Sequence, residues 1–495
     1  MVKPHHILLF LLVLSAGCLT MAYFFPEDGI KVSEDLTLRF ATVNEIFDQG
    51  EDSVKVDVEE LLASYEVVID STAIKDSIKR AQIAYRQKML RIQYPSDTIE
   101  KLPKFFQALA KTKKNGKKLR IIHYGDSQIE GDRISSYIRN KFQKFFGGNG
   151  PGYFAVKSVV NSFSVNKTIS ENWQRFAVFG TSDSTLNHRK FGMYGAFSRF
   201  SPIYPDSLLF ADSAAVAQDT VKAWIEIRPS NIAYYTSKQY SLLNMLFGNV
   251  KKPFSLNAYV NDSLVSQNSY QAGAFGEFKL KFGKTPRLIK LEFTATYSPD
   301  IYGIRLESRG GVLLDNVGLR GSSGTFFGRI NGAEMSSQLN KEPIRLVLLQ
   351  FGGNTVPYIE TKERAQGYSR SLKRQIKLLR RLNPKADFVV IGPSDMSTKD
   401  KTKYVTYPQL EFIRDAVKEA AFETGCGFWD IYEVMGGKNS MPSWVDADPP
   451  LAAKDYVHFT NEGAVKIAGL FYDALMKDFE AFENGKTDEQ ISLSQ

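Results

Sequence analysis

Two short stretches, far apart in the chain, carry side chains that could do acyl-transfer chemistry together. Ser127 ends Gly125-Asp126-Ser127, and Asp455 and His458 stand three apart in Asp455-Tyr456-Val457-His458. A serine hydroxyl becomes a nucleophile when an imidazole takes its proton, and a carboxylate on the other ring nitrogen fixes the tautomer that can do so. Spacing of three can put Asp455 and His458 on one side of a helical turn. Histidine is scarce, with 5 in the chain. His5 and His6 precede an apolar run, His123 lies inside an apolar strand and reads as structural, and His188, beside Arg189 and Lys190, reads as surface. The bland alternative is that Asp126 and Ser127 cap a helix, with Asp455 a helix-start residue and His458 merely packed.

An attack on a carbonyl also needs donors for the oxyanion. If Ser127 sits where a strand becomes a helix, backbone N–H groups there favour negative charge. Asn354, in Gly352-Gly353-Asn354, can offer an amide at a strand end. Gly321, in the glycine- and serine-rich stretch 318–324, can present a bare N–H.

The elements that must position these groups alternate in texture. Residues 119–124 read as a buried strand leading through the Gly-Asp-Ser turn into a helix with Ile134, Ile138 and Phe142 on one side. Strands are expected at 312–317, 344–350 and 386–391, with helices at 368–382, 408–424 and 462–479. Between them, 153–310 reads as short alternating strands divided by Asn, Asp, Gly and Pro, with a hairpin turn at Asn261-Asp262. The expected fold is a parallel α/β sheet with helices on both faces, interrupted by an inserted β-sandwich. The boundaries are 1–25 for an N-terminal anchor or signal, 26–118 for a helical extension, 119–152 and 311–483 for the two parts of the α/β domain, 153–310 for the insertion and 484–495 for a tail.

Gly125-Asp126-Ser127, Gly321, Asn354 and Asp455-x-x-His458 occur in the order of the SGNH/GDSL hydrolases, and the chain resembles that family over 119–150 and 311–480. The resemblance implies a flavodoxin-like sheet, Ser127 as nucleophile, Gly321 and Asn354 as oxyanion donors beside the Ser127 N–H, and Asp455 and His458 as the remaining catalytic pair. It departs from the family pattern at Thr355, where an Asp often follows the Asn. The Gly-x-Ser-x-Gly elbow of the α/β-hydrolases is absent from the sequence. A β insertion at this point resembles bacterial peptidoglycan O-acetylesterases, whose insertion is a carbohydrate-binding-like jelly-roll. The implied activity is removal of O-acyl, foremost O-acetyl, groups from an envelope polysaccharide, without metal or cofactor. The alternatives are an O-acetyltransferase using the same residues, working with a membrane-bound acyltransferase, and a non-catalytic glycan-binding scaffold. Trp444, shortly before the Asp–His pair, is a candidate for stacking on a sugar ring, though a packed Trp is at least as common.

Composition sets the remaining bounds. The chain has 495 residues, 43% hydrophobic and 24% charged, which excludes bulk disorder and a multi-pass membrane protein. Its net charge of +9 is spread thinly, and no basic face concentrated enough for nucleic acid is evident. Residues 7–25 carry no charge. As a helix they would span about 28 Å, near the hydrocarbon thickness of a bilayer. The expectation is export to the periplasm or cell envelope with this helix as membrane anchor; the alternative is a lipoprotein attached through Cys18. The other cysteine, Cys426, then has no partner, and neither a disulfide framework nor a structural zinc site is available.

Overall fold

The computed structural model describes residues 84–96, 99–180, 186–204 and 219–492, with scattered positions before residue 39; side chains are described to 485. Most of the anchor expected at 7–25, with Cys18, and most of 26–83 lie outside the described residues. Among the described residues no helix is long and apolar enough to cross a membrane.

Five strands form a wholly parallel sheet: β1 (Leu119–Gly125), β2 (Val312–Gly318), β3 (Ile344–Gln350), β4 (Asp387–Ile391) and β5 (Gly427–Trp429). Their order is β2-β1-β3-β4-β5. Parallel strands need crossovers, and the helices supplying them cover both faces. Alternate side chains go to opposite sides. Leu119 and Ile121 of β1 meet Phe105 and Leu109 of α1 (Pro103–Asn115), Ile138 and Phe142 of α2 (Arg133–Phe146) and Phe471 of α6 (Asn461–Ser492). Ile122 and Tyr124 go the other way, to Met335 of α3 (Gly332–Lys341), Ile376 of α4 (Lys362–Leu382) and Val417 of α5 (Leu410–Glu423). This is the doubly wound arrangement of SGNH-type α/β folds. Its strand order reverses between β1 and β3, the place where such sheets bind ligands.

The core starts earlier than residue 119. Leu90, Ile92, Phe105 and Phe106 are buried in it, and Gln93 exchanges backbone hydrogen bonds with Phe428 of β5.

Between α2 and β2 the chain builds two antiparallel sheets. One runs in the order Ser263–Tyr270, Phe254–Val260, Ile289–Ala295, Val221–Pro229, Val165–Ile169. The other runs Gly273–Lys281, Leu242–Val250, Asp300–Glu307, Ala196–Arg199, Gln174–Ala177. The two share one apolar core, with Ile225, Leu256 and Leu291 from the first and Leu243, Met245 and Ile304 from the second. Asn261 and Asp262, both with positive φ, close the hairpin between Val260 and Ser263. Where the chain enters this region it crosses its own exit: a Cβ on Gly152, at φ +73°, would stand 2.3 Å from the Leu314 carbonyl oxygen, so only glycine fits.

Candidate active site

β1 ends at Gly125, and a Cβ there would meet the Ile129 side chain at 2.9 Å and the Gln350 carbonyl at 3.1 Å. This tight exit turns Ser127 toward the sheet's C-terminal edge. The helix expected directly after Ser127 starts six residues later. Gly131 and Asp132 both take left-handed φ, so a 3-10 turn, Glu130–Asp132, precedes α2 at Arg133. The Ser127 N–H is therefore a loop N–H and not part of the first turn of a helix.

Ser127 Oγ lies 2.8 Å from His458 Nε2, and His458 Nδ1 lies 2.8 Å from Asp455 Oδ2. The two stretches, 331 residues apart, thus meet in one hydrogen-bonded chain. Asp455 and His458 do not lie on a helix. Residues 454–458 form turns and bends, Tyr456 has φ +56°, and Asp455 Oδ1 accepts from the backbone N–H groups of Val457 and His458, both at 3.0 Å. An aspartate holding the N–H groups two and three residues on stabilises such a turn better than a helix interior would. Burial pushes the Asp455 carboxyl up, but those N–H groups and the His458 imidazole outweigh it and hold it below its ordinary range. An ionised Asp455 accepts from Nδ1–H, which leaves Nε2 with a lone pair for the Ser127 proton.

Of the oxyanion donors expected, the N–H groups of Ser127 and Gly321 have no acceptor among the described residues. Gly321 sits at φ +79° with nothing within 4 Å of an added Cβ, so the backbone conformation and not crowding calls for glycine. Asn354 lines the cleft. Its amide is already engaged, donating to Asp126 Oδ2 at 3.1 Å and to the Ser322 carbonyl at 3.2 Å. It could serve an oxyanion only by sharing a hydrogen or by leaving one of these acceptors. Burial pushes the Asp126 carboxyl up to about 6, against the Gln128 N–H, His458 and the Asn354 amide. The Thr355 hydroxyl donates to the Gly352 carbonyl at 2.6 Å, a local role.

Trp444 is not a sugar platform. It is 0% exposed, its indole N–H donates to the Met435 carbonyl at 3.0 Å, and its ring packs on Phe459. Its carbonyl accepts from the N–H groups of Leu451 and Ala452, so it braces the loop that carries Asp455 and His458. His188 is only 13% exposed and lies 3.2 Å from Asp300, so it is not the surface residue its charged neighbours implied. His123 is buried between Ser135 and Gln350, and burial pushes it down to about 3, a neutral structural role.

Three residues that the sequence did not mark complete the site. Arg133 donates to the carbonyls of Ser127 (2.8 Å), Phe459 (2.9 Å) and Glu130 (3.2 Å), tying the serine loop to the histidine loop. Gln128 adds a second tie, from Nε2 to the Val457 carbonyl at 2.6 Å and to Ser394 Oγ at 3.1 Å. Tyr358, four residues after Asn354, is 77% exposed on the wall of the cleft. Only that last short spacing could have been noticed in advance. Arg133→Gln should lower kcat about tenfold with a smaller change in KM, because small misplacements of reacting groups cost rate more than affinity; steady-state kinetics on an aryl acetate checks this.

The cleft, about 650 Å³ of empty space, is bounded by these residues with Gly392, Pro393 and Met396 after β4. Among the described residues no group of His, Cys, Asp and Glu could hold a metal ion. Its chemistry is that of a serine nucleophile, a base and an open acyl site.

Residues 291–465 match the model of the GDSL-like lipase/acylhydrolase family. That span holds Gly321, Asn354, Asp455 and His458, while Ser127 lies outside it and is joined to it by the fold. A solved structure of a peptidoglycan O-acetylesterase is 19% identical, with a TM-score of 0.58, over 79% of this chain and 99% of the other. A family two carbohydrate esterase from Clostridium thermocellum, solved with cellohexaose, is 10% identical, with a TM-score of 0.24, over 54% of this chain and 94% of the other. No curated protein matches the chain. The first of these likenesses is one of fold; with the family match over 291–465 and the order of the motifs, the chain is an enzyme similar to the GDSL-like, or SGNH, acylhydrolases.

Proposed function

We propose that the chain is a serine esterase that removes O-acetyl groups from a cell-envelope polysaccharide such as peptidoglycan. The observation that carries this reading is the hydrogen-bonded chain from Ser127 through His458 to Asp455. His458 Nε2 takes the Ser127 proton as Oγ attacks the ester carbonyl, and the N–H groups of Ser127 and Gly321 receive the oxyanion. His458 returns the proton to the departing sugar oxygen, leaving an acyl-serine. Water, activated by the same imidazole, then releases acetate and restores the serine.

In this reading the two-sheet insertion is a jelly-roll-like module that holds the polymer, and residues 7–25 anchor the enzyme at the membrane with its catalytic part in the periplasm. Tyr358, and not Trp444, would offer the ring against which a sugar packs. Tyr358→Ala should raise KM for an acetylated polymer about fivefold, and KM for a one-ring acetate ester by less.

The deciding experiment incubates the protein with O-acetylated peptidoglycan, with and without an acceptor glycan. Free acetate in the absence of acceptor is the expected result. Acetylated acceptor with little free acetate would replace the esterase with a transferase, and no turnover of any ester would leave a glycan-binding scaffold.

A further inference from the structure

A second cavity, about 660 Å³ of empty space, opens between the parallel sheet's edge and the insertion. Glu130, three residues after Ser127, and Arg320, immediately before Gly321, form one wall; Tyr153, Ser158 and Arg175 of the insertion form another. It therefore adjoins the two loops that carry the serine and the oxyanion glycine.

The charges around it do not balance. Glu130 is matched by Arg320, whose Nε and NH2 lie 2.7 and 2.6 Å from Oε2. Asp132 is matched by Arg139, with bonds of 2.7 and 2.8 Å, and by Ser164. Lys167 stands behind the rim, bonded to Ser158 and to the Ala155 carbonyl. Arg175, half-buried on the strand Gln174–Ala177, has no hydrogen-bond acceptor and no ion-pair partner among the described residues. A guanidinium is seldom drawn partly out of water without a partner, and its planar fork matches a carboxylate. One unmatched guanidinium, with Glu130 close by, suits a single negative charge better than a phosphate dianion.

We propose that this cavity seats a carboxylate of the acylated glycan on Arg175, so that the enzyme prefers acidic polymers to neutral ones. The inference rests on the esterase reading for its substrate but not for its test. The carboxylate could belong to a uronate ring or to a peptide stem carried on the glycan; both present the same group.

The test compares wild type, Arg175→Gln and Arg175→Lys on acetylated polygalacturonate, on O-acetylated peptidoglycan with its stems, and on acetylated cello-oligosaccharides. The ratio of kcat/KM for acidic over neutral substrate should fall about tenfold in R175Q, through KM. R175K should recover only part of it, and 0.5 M salt should shrink the wild-type preference. A fall on polygalacturonate alone identifies a uronate, and a fall on peptidoglycan alone identifies a stem. An unchanged ratio on both overturns the proposal. A second arm needs no turnover. With Ser127→Ala, calorimetric binding of galacturonate oligosaccharides and of muropeptides should weaken about tenfold when their carboxyls are reduced or when R175Q is added. If wild type cleaves no ester but carboxylate-dependent binding persists, the esterase reading falls and the carboxylate site stands; equal binding of the carboxylated and reduced ligands overturns the site alone.

Discussion

Ser127→Ala should lower kcat for aryl acetates and acetylated glycans by at least about 10³-fold, and should abolish labelling by a fluorophosphonate probe, while thermal stability stays close to that of wild type. The size follows from geometry. The Ser127 hydroxyl is 2.8 Å from His458 and is the only group the mechanism has for forming a covalent bond. His458→Ala should cost about as much, and the double variant little more than either, because nucleophile and base act as one unit. Asp455→Asn should cost about 10²- to 10⁴-fold. The amide can still accept the two backbone N–H groups that hold the turn, yet it can present its NH2 to Nδ1 and so favour the tautomer that cannot take the serine proton. Labelling that persists in Ser127→Ala, or losses that multiply in the double variant, would show that these residues do not form one catalytic unit.

The parallel sheet was legible because continuous apolar runs and strand-helix alternation are local signals, and strands at 119–124, 312–317 and 344–350 lie where their apolar runs are. The hydrogen-bonded set was legible through its order along the chain, since the identities and spacings of Ser127, Asn354, Asp455 and His458 survive the long insertion. Details that depend on through-space packing were not. The turn bearing Asp455 has the same three-residue spacing as a helical turn, and only the two N–H groups drawn to Asp455 Oδ1 reveal the difference. The delay of α2 to Arg133 comes from a single left-handed pair, Gly131 and Asp132, and nothing in the sequence shows that Asp132 adopts that conformation. Trp444 looked like a platform because of its position before the catalytic pair, whereas the fold spends its apolar surface on Phe459. Nothing in the sequence singles out Arg133 or Arg175; one proves to join the two catalytic loops, and the other to stand beside a cavity without an ion-pair partner among the described residues. Side-chain roles set by residues hundreds of positions away have no local signature.

The second large effect should come from Arg120→Met, which should lower the melting temperature by about 10 °C at pH 7. Arg120 lies on β1, seven residues before the serine, and is 0% exposed. Its NH1 donates to both oxygens of Asp315 at 2.8 and 2.9 Å, its NH2 to Glu307 at 2.5 Å and its Nε to Glu342 at 2.9 Å. Glu307 ends the last strand of the insertion and Asp315 belongs to β2, so one guanidinium joins the inserted sheets to the catalytic one. Methionine fills much of the same volume but leaves three carboxyls facing a charge that is gone. Removing one partner from a buried ionic group typically costs about 3–5 kcal/mol. The loss must depend on pH. Burial pushes the Glu307 carboxyl up, but Arg120, Arg305 and Lys118 outweigh it and hold it at about 2. A lowered carboxyl stabilises the fold above its unfolded value, near 4.5, and that contribution disappears as the pH falls toward 2. Without Arg120 the same carboxyls can relieve their repulsion by taking up protons, so the deficit of the variant should shrink between pH 7 and pH 4. A deficit that stays constant over that interval would assign the loss to packing alone. The closing of the gap, measured by differential scanning fluorimetry across that range, would show that charge holds the insertion against the catalytic sheet, and with it the wall of the cavity that carries Arg175.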